Sequence, residues 1–225
     1  MTSTVEAAPS RGMMVERQLE RRGIRDPGVL AAMREVPREA FVPEHLRDLA
    51  HEDAPLPIEA GQTISQPYIV ARMIEAAEVR PGDRVLEIGA GSGYAAAVLS
   101  RIAAQVHAIE RHDELTQLAG ERLRRLGYAN VTLRTGDGTK GWAEAAPFDA
   151  ILLAAAGPAV PQAMKEQLGI GGRLVMPVGG PRGQRLVKLT RRDARHFDEE
   201  DLGGVLFVPL IGEQGWATDE RINPA

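Results

Sequence analysis

Glycines at alternate positions follow a short apolar strand in the first half of the chain. The strand is predicted over Val85–Ile88, and Gly89, Gly91 and Gly93 come directly after it. Glycine permits a sharp backbone turn, and its lack of a Cβ lets a ligand approach the main chain closely. The helix predicted over Tyr94–Ile102 directs its N-terminal amides at the same point. The stretch therefore predicts a nucleotide-sized cradle at the carboxyl end of a strand.

The glycine spacing restricts the kind of nucleotide. A dinucleotide-binding G-x-G-x-x-G turn that began at Gly89 would need a third glycine where the chain has Tyr94. The phosphate-binding G-x-x-x-x-G-K-[ST] loop is not present here either. A purely structural turn is the alternative interpretation of the glycines on their own.

Two acidic residues follow at the ends of the next two predicted strands. Glu110 ends Val106–Glu110, about 20 residues after the glycines, where a carboxylate accepts hydrogen bonds from ribose hydroxyls. Asp137 ends the strand that begins at Val131. A lone strand-end carboxylate more often caps a turn or a helix. Three such features in order nevertheless favour a nucleotide site.

Composition limits the protein class. The chain has 225 residues, is 44% hydrophobic, carries a formal net charge of −4 and contains no cysteine. These values predict one large α/β domain with an appendage, argue against nucleic acid as the main partner, and exclude disulfides and cysteine nucleophiles. The five histidines lack metal-ligand spacing, so no metal is expected. The N-terminus lacks a signal-peptide pattern and no apolar run approaches membrane-spanning length, so we expect a cytoplasmic protein without a membrane partner.

The N-terminal part is predicted to contain short helices and loops, without sheet. Helices are expected over Met13–Arg22 and from the Asp26 cap to Glu35, and several prolines interrupt the chain after them. We expect residues 1–12 to be a disordered tail, 13–62 a helical cap over the nucleotide site, 63–213 the core and 214–225 a C-terminal tail.

Strands and helices alternate from residue 68 onward, which predicts a doubly wound, mostly parallel sheet of the Rossmann-like α/β class. Two final strands, Leu186–Thr190 and Gly204–Leu210, are expected to form an antiparallel edge, with a turn or loop at Asp193–Glu200 between them. The remaining predicted elements are helix Tyr68–Ala77, helix Asp113–Leu126, strand Phe148–Leu153, helix Pro161–Leu168 and strand Gly172–Pro177.

The V-L-E-I-G-x-G-x-G run at Val85–Gly93 resembles motif I of the class I S-adenosylmethionine methyltransferases. A second segment, G-Q-T-I-S-Q-P-Y-I-V at Gly61–Val70, is more specific and resembles the protein-L-isoaspartate O-methyltransferase family. The resemblance extends from about Met14 to Glu213. It is also carried by Arg38–Pro43, Pro55–Pro57, Gly136–Gly138 and Phe207–Leu210.

The resemblance implies transfer of a methyl group from S-adenosyl-L-methionine to the α-carboxylate of L-isoaspartyl residues in damaged proteins and peptides. The methyl ester re-forms a succinimide, whose hydrolysis returns some normal aspartate, and the cofactor product is S-adenosyl-L-homocysteine. A relative that methylates an aspartate in one dedicated peptide, and a non-catalytic protein with the same fold, are the alternatives. We expect a monomer that needs no nucleic acid.

The resemblance also assigns roles to individual residues. Ser65 would be the catalytic-site serine that orients the accepting carboxylate, although without the surrounding motif an N-cap of the helix that follows is the favoured interpretation. Glu87 would brace the glycine turn, Glu110 would hold the ribose, and Asp137 would flank the adenine. The expected cofactor-binding residues are Glu87, Gly89, Gly91, Gly93, Glu110, Arg111, Asp137 and Gly138, and the expected substrate-binding residues are Gln62, Thr63, Ile64, Ser65, Val208, Pro209 and Leu210.

Overall fold

A seven-stranded sheet forms the centre of the protein, as seen in a computed structural model that describes residues 10–217. The strands are β3 (Arg84–Ile88), β4 (Gln105–Glu110), β5 (Val131–Thr135), β6 (Phe148–Leu153), β7 (Leu168–Gly180), β8 (Gly183–Arg191) and β9 (Phe197–Val205). Their order in the sheet is β5-β4-β3-β6-β7-β8-β9, and neighbouring strands from β5 to β7 are parallel. The predicted Rossmann-like α/β class is thus confirmed.

Helices connect the parallel strands and cover the sheet. Apolar residues of β3, β4 and β6 are almost completely buried, as expected for strands with helices on both faces. The helices are α1 (Arg11–Met14), α2 (Pro27–Glu35), α3 (Pro67–Ala76), α4 (Tyr94–Ser100), α5 (Asp113–Arg125) and α6 (Gln162–Gln167). All parallel strands therefore present their carboxyl ends at one edge of the sheet, where ligands bind in such folds.

The N-terminal cap follows the sequence signals for the ends of helices. The Asp26 side chain accepts a hydrogen bond from the Val29 amide at 2.9 Å, with Pro27 at the first helical position of α2. Gly23 has a φ of 102° and ends a helical stretch that continues from α1 through π and 3-10 turns to Arg22.

One expectation for the N-terminal part was wrong, because this part contains a small antiparallel hairpin. Strand β1 (Leu56–Pro57) pairs with β2 (Thr63–Ile64). Each strand has only two residues, which is too short for an alternating hydrophobic pattern to appear in the sequence. The hairpin brings Thr63 and Ile64 to the edge of the central sheet.

The antiparallel edge of the sheet is confirmed, but its last strand was wrongly placed. Strand β9 covers Phe197–Val205, so the second half of the expected loop Asp193–Glu200 is strand, and residues 206–210 of the expected last strand lie outside β9. The acidic run Asp198–Asp201 suggested a loop. Charged side chains are also common on edge strands, where they discourage pairing with another chain.

The described residues at the inner end of each expected tail make ordered contacts with the core or belong to a helix. Arg11 and Gly12 belong to α1, with Ser10 as the N-cap. Trp216 donates its indole N–H to the carbonyl of Ala156 at 3.0 Å, and the Gln214 side chain accepts from the Ala163 amide at 3.1 Å. The rest of each expected tail, residues 1–9 and 218–225, lies outside the described residues. Within residues 10–217, no helix is both long and apolar enough to cross a membrane.

Candidate active site

A cavity of about 350 Å³ opens at the carboxyl ends of β3 and β4, between the glycine turn, the β1–β2 hairpin and the segment that follows β9. Most of the residues that the sequence singled out come together here although they are distant in the chain. Those that line the cavity are Gln62, Thr63, Ile64, Ser65, Glu87, Gly89, Gly91, Glu110, Arg111, Gly138, Val208, Pro209 and Leu210. Gly93 and Asp137 do not line it.

The three turn glycines have positive φ angles of 85°, 52° and 88° at Gly89, Gly91 and Gly93, a region that other residues rarely adopt. Gly89 also donates its amide to the carbonyl of Ile109 at 2.8 Å, which fixes the turn to β4. At Gly93 a Cβ would lie 3.2 Å from the Cβ of Ala119. Gly93 therefore serves the packing of α4 against α5, and Gly89 and Gly91 form the cavity floor.

Glu110 holds the glycine turn in place. Its Oε2 accepts from the Gly91 amide at 2.9 Å, and its Oε1 accepts from the amides of Arg111 and His112 at 2.7 and 3.0 Å. The residue is 5% exposed. A carboxylate has about four acceptor positions, so roughly one remains for a ligand. Glu110 therefore performs the bracing that the sequence assigned to Glu87.

Glu87 is a buried carboxyl group at the cavity wall. It is 2% exposed, and its Oε2 has no hydrogen-bond partner among the described residues. Burial, with a smaller contribution from the negative charge of Glu110, raises the pKa of Glu87 to about 8. Near neutral pH the side chain is therefore mainly protonated, and a cation beside it would favour the carboxylate form.

Asp137 is occupied by the protein itself. Its Oδ1 accepts from the amide and the hydroxyl of Thr139 at 2.9 and 2.6 Å, and its Oδ2 accepts from the Glu213 amide at 2.9 Å. Burial opposes ionisation, but these hydrogen bonds prevail and the pKa of Asp137 is lowered. Asp137 thus caps the 3-10 turn that begins at Gly138, the ordinary role of a strand-end acid. Gly138 lines the cavity and Asp137 does not, and the expected place of Asp137 beside an adenine stays a prediction.

The position of Ser65 separates its two interpretations. The N-cap of α3 is Gln66 and not Ser65, with Pro67 as the first helical residue. No hydrogen bond from the Ser65 hydroxyl to another described residue is present, and Ser65 lines the cavity. The helix-cap interpretation is therefore wrong, and the hydroxyl is available to a ligand.

The segment after β9 forms the opposite wall. The Val208 carbonyl accepts from the Ala156 amide, and the Leu210 amide donates to the Ala156 carbonyl, both at 2.8 Å. Gln184 holds Phe207 on both sides, accepting from its amide at 2.6 Å and donating to its carbonyl at 3.0 Å. This wall is thus positioned by hydrogen bonds to its main-chain groups.

Sequence reasoning missed several residues of the cavity. Tyr94 lines it, and the ring packs edge-on against Phe41 of the cap with centroids 5.7 Å apart. Ala154 and Ala155 follow β6, and the rule that parallel strands present their carboxyl ends together was a signal for them. The lining residues outside the predicted site residues are Gly61, Val70, Ile88, Ala90, Ser92, Tyr94, Ala95, Ile109, His112, Ala154, Ala155 and Ile211.

The cavity fits the cofactor that the sequence resemblance implied. The glycine turn provides close approach to the main chain, and Glu110 retains an acceptor position for a ribose hydroxyl. The unpartnered Oε2 of Glu87 offers a buried polar atom to the cationic methionine portion. A group with a ribose and a positive charge is what these residues suit.

Comparison with known proteins supports this assignment. Residues 10–215 match the family described as protein-L-isoaspartate(D-aspartate) O-methyltransferase. The chain is 60% identical to protein-L-isoaspartate O-methyltransferase 1 of Rhodopseudomonas palustris strain HaA2, over 94% of this chain and 86% of that protein. It is 61% identical to the enzyme of the same name from Methylorubrum extorquens strain PA1, over 94% of this chain and 92% of that protein.

Solved structures give the same result. One protein-L-isoaspartate O-methyltransferase superimposes with a TM-score of 0.82 at 30% identity, covering 92% of this chain and 67% of that one. The Plasmodium falciparum protein, in complex with S-adenosyl-L-homocysteine, gives a TM-score of 0.78 at 25% identity, covering 89% and 98%. This chain belongs to the protein-L-isoaspartate O-methyltransferase family.

Proposed function

We propose that this protein transfers a methyl group from S-adenosyl-L-methionine to the α-carboxylate of L-isoaspartyl residues in damaged proteins. The observation that carries the proposal is the free Ser65 hydroxyl, which shares one cavity with the glycine turn and Glu110. One end of the cavity suits a nucleoside and the other presents a hydroxyl donor. Family membership supports the same reaction.

The accepting group needs no general base. An α-carboxylate has a pKa of about 3 to 4, so it is already ionised at neutral pH. When bound, the cofactor supplies an electrophilic methyl group on a sulfonium. The protein must therefore orient one carboxylate oxygen and exclude water. Ser65 donates a hydrogen bond to the carboxylate, and Glu87 neutralises the adjacent positive charge.

Substrate selection is assigned to the walls of the cavity. Gln62–Ser65 and Val208–Leu210 both line it, and the second segment has no polar side chain, so its polar groups are those of the main chain. Main-chain recognition suits a substrate that is defined by an altered backbone and not by its side chains. We expect tolerance of many sequences around the isoaspartyl residue.

A pair of peptides tests the reaction. An isoaspartyl peptide and its normal aspartyl twin carry equal charges and differ only in whether one methylene is in the backbone. We expect methylation of the first and almost none of the second. At saturating cofactor the rate should be flat above about pH 6, because the acceptor is ionised throughout. Radiolabelled methyl transfer over pH 5 to 9 measures both properties.

Two results would contradict this prediction. A rate that rises through neutrality would indicate a hydroxyl or amine acceptor that needs a base. Equal methylation of both peptides would favour a carboxyl methyltransferase that tailors a different peptide.

The monomeric state and the cytoplasmic location also stay predictions. Light scattering checks the first and cell fractionation checks the second.

The Glu110→Ala variant tests the cofactor end. It removes an acceptor from the ribose and leaves the amides of Gly91, Arg111 and His112 without their partner. We expect cofactor binding to weaken by about 1.5–3 kcal/mol and the protein to lose about 1–3 kcal/mol of stability. Calorimetric titration and chemical unfolding measure the two effects. Glu114→Ala, an exposed acid at the start of α5, is the control, and wild-type affinity in Glu110→Ala would remove Glu110 from the site.

A further inference from the structure

The turn that precedes Ser65 has an unusual conformation. Glu59–Gly61 forms the tip of the β1–β2 hairpin, and Ala60 has a φ of 54°, which residues other than glycine seldom adopt. Such a conformation persists only when surrounding contacts fix it. The residues that directly follow this tip, Gln62–Ser65, line the cavity.

An ion pair connects this tip to the main body of the protein. Arg122 of α5 donates through Nη2 to Oε1 of Glu59 at 2.9 Å, across 63 positions of sequence. The side chains are 12% and 26% exposed. Oε2 of Glu59 and Nη1 of Arg122 are both buried without another partner among the described residues, so each charge depends on the other.

The helix that carries Arg122 is itself fixed to the cofactor end of the cavity. Helix α5 begins at Asp113, directly after Arg111 and His112, whose amides donate hydrogen bonds to Glu110. The hairpin also packs on the glycine turn, since a Cβ on Gly91 would lie 3.5 Å from Cδ1 of Ile58. The ion pair therefore joins the segment with the proposed acceptor-binding serine to the element that holds the methyl-donor end.

We propose that Glu59 and Arg122 are positioning residues, whose ion pair sets the distance between the Ser65 segment and the cofactor end of the cavity. This inference rests on the proposed methyl transfer. Neither residue lines the cavity, so the pair acts only by fixing where the Gln62–Ser65 segment lies. Loss of the pair should thus affect turnover more than cofactor binding.

Glu59→Gln and Arg122→Gln test the pair, singly and together. A segment displaced by a fraction of an ångström to 1 Å typically costs on the order of 10- to 100-fold in rate. We expect kcat to fall at least about tenfold in each single variant. The double variant should lose no more turnover than a single variant, because either change already breaks the pair. The cofactor Kd from calorimetry should change less than about twofold. Arg122→Lys retains a charged donor and should recover most of the turnover.

Hydrogen exchange gives a readout that does not depend on activity. In Glu59→Gln, amide exchange should accelerate within residues 58–66 and stay unchanged in β3 and β4. Glu35→Gln is the matched control, because it removes an exposed Arg101–Glu35 pair of 3.0 Å that does not reach the cavity. That variant should behave as wild type in both measurements.

The results separate the proposal from its premise. Turnover within twofold of wild type in Glu59→Gln, or exchange that accelerates throughout the protein, overturns the positioning role. A wild-type protein that does not discriminate the isoaspartyl peptide overturns the proposed function instead. The exchange comparison then still decides whether the pair fixes the hairpin.

Discussion

Replacing Glu87 by Gln should stabilise the cofactor-free protein at neutral pH and remove part of its pH dependence. The Glu87 carboxyl has a pKa of about 8 when folded, raised from 4.5 by burial and by Glu110. The unfolded chain therefore loses this proton near pH 4.5 while the folded protein keeps it to about pH 8. The free energy of unfolding accordingly falls as the pH rises between these values. At pH 7 it is about 3 kcal/mol lower than at pH 4, where both states are protonated. Glutamine is neutral throughout and carries no such loss.

Urea unfolding of both proteins from pH 4 to 9 measures this effect. The two curves should meet near pH 4 and separate progressively up to about pH 8, with the variant above the wild type. Glu121→Gln, at an exposed position of α5, is the control and should follow the wild type at every pH. Parallel curves for wild type and Glu87→Gln would show that the Glu87 carboxyl ionises normally.

Cofactor binding provides a second measurement on the same group. A cation beside Glu87 favours its carboxylate form, so binding of S-adenosyl-L-methionine at pH 7 should release a proton. Calorimetry in buffers of different ionisation enthalpy detects that proton. Glu87→Gln should bind the cofactor more weakly and without proton release. Equal proton release by wild type and variant would assign the proton to another group.

The sheet was predictable because its strands carry a local signal. Val85–Ile88 and Phe148–Leu153 are short apolar runs between turn residues, and their alternation with helices specifies a parallel arrangement. The acidic edge strand Phe197–Val205 lacks that signal, and it is a strand because it pairs with β8. Local preference therefore identifies the buried strands and misses the edge strand that tertiary pairing creates.

Most of the residues that the sequence singled out line one cavity, but the contacts that they make there were not predictable. Sequence order placed Glu87 and Glu110 at neighbouring strand ends, yet the register that pairs Glu87 with Ala108 decides which acid reaches the turn amides. Asp137 shows the same limit, because the Glu213 amide that occupies it comes from 76 residues away. Contacts of this kind depend on the assembled fold.

Ser65→Ala should lower turnover by about tenfold to a few hundredfold while leaving cofactor affinity almost unchanged. The hydroxyl is proposed to donate to the accepting carboxylate, and the loss of one orienting hydrogen bond typically has an effect of this size. The fold should be unaffected, because Gln66 and not Ser65 is the N-cap of α3. Steady-state methylation of an isoaspartyl peptide, calorimetric titration of the cofactor and thermal unfolding measure the three properties.

Gln66→Ala is the matched control, since it changes the neighbouring residue without removing the hydroxyl. Its side chain donates to the carbonyl of Asp53 at 2.9 Å, so the variant should lose stability while turnover stays within a few fold of wild type. Opposite responses of the two variants would assign orientation to Ser65 and local stability to Gln66. If Ser65→Ala instead keeps normal turnover, the accepting carboxylate is oriented by main-chain donors of the cavity walls. The catalytic role of Ser65 would then be wrong, although the cofactor site around Glu110 would stand.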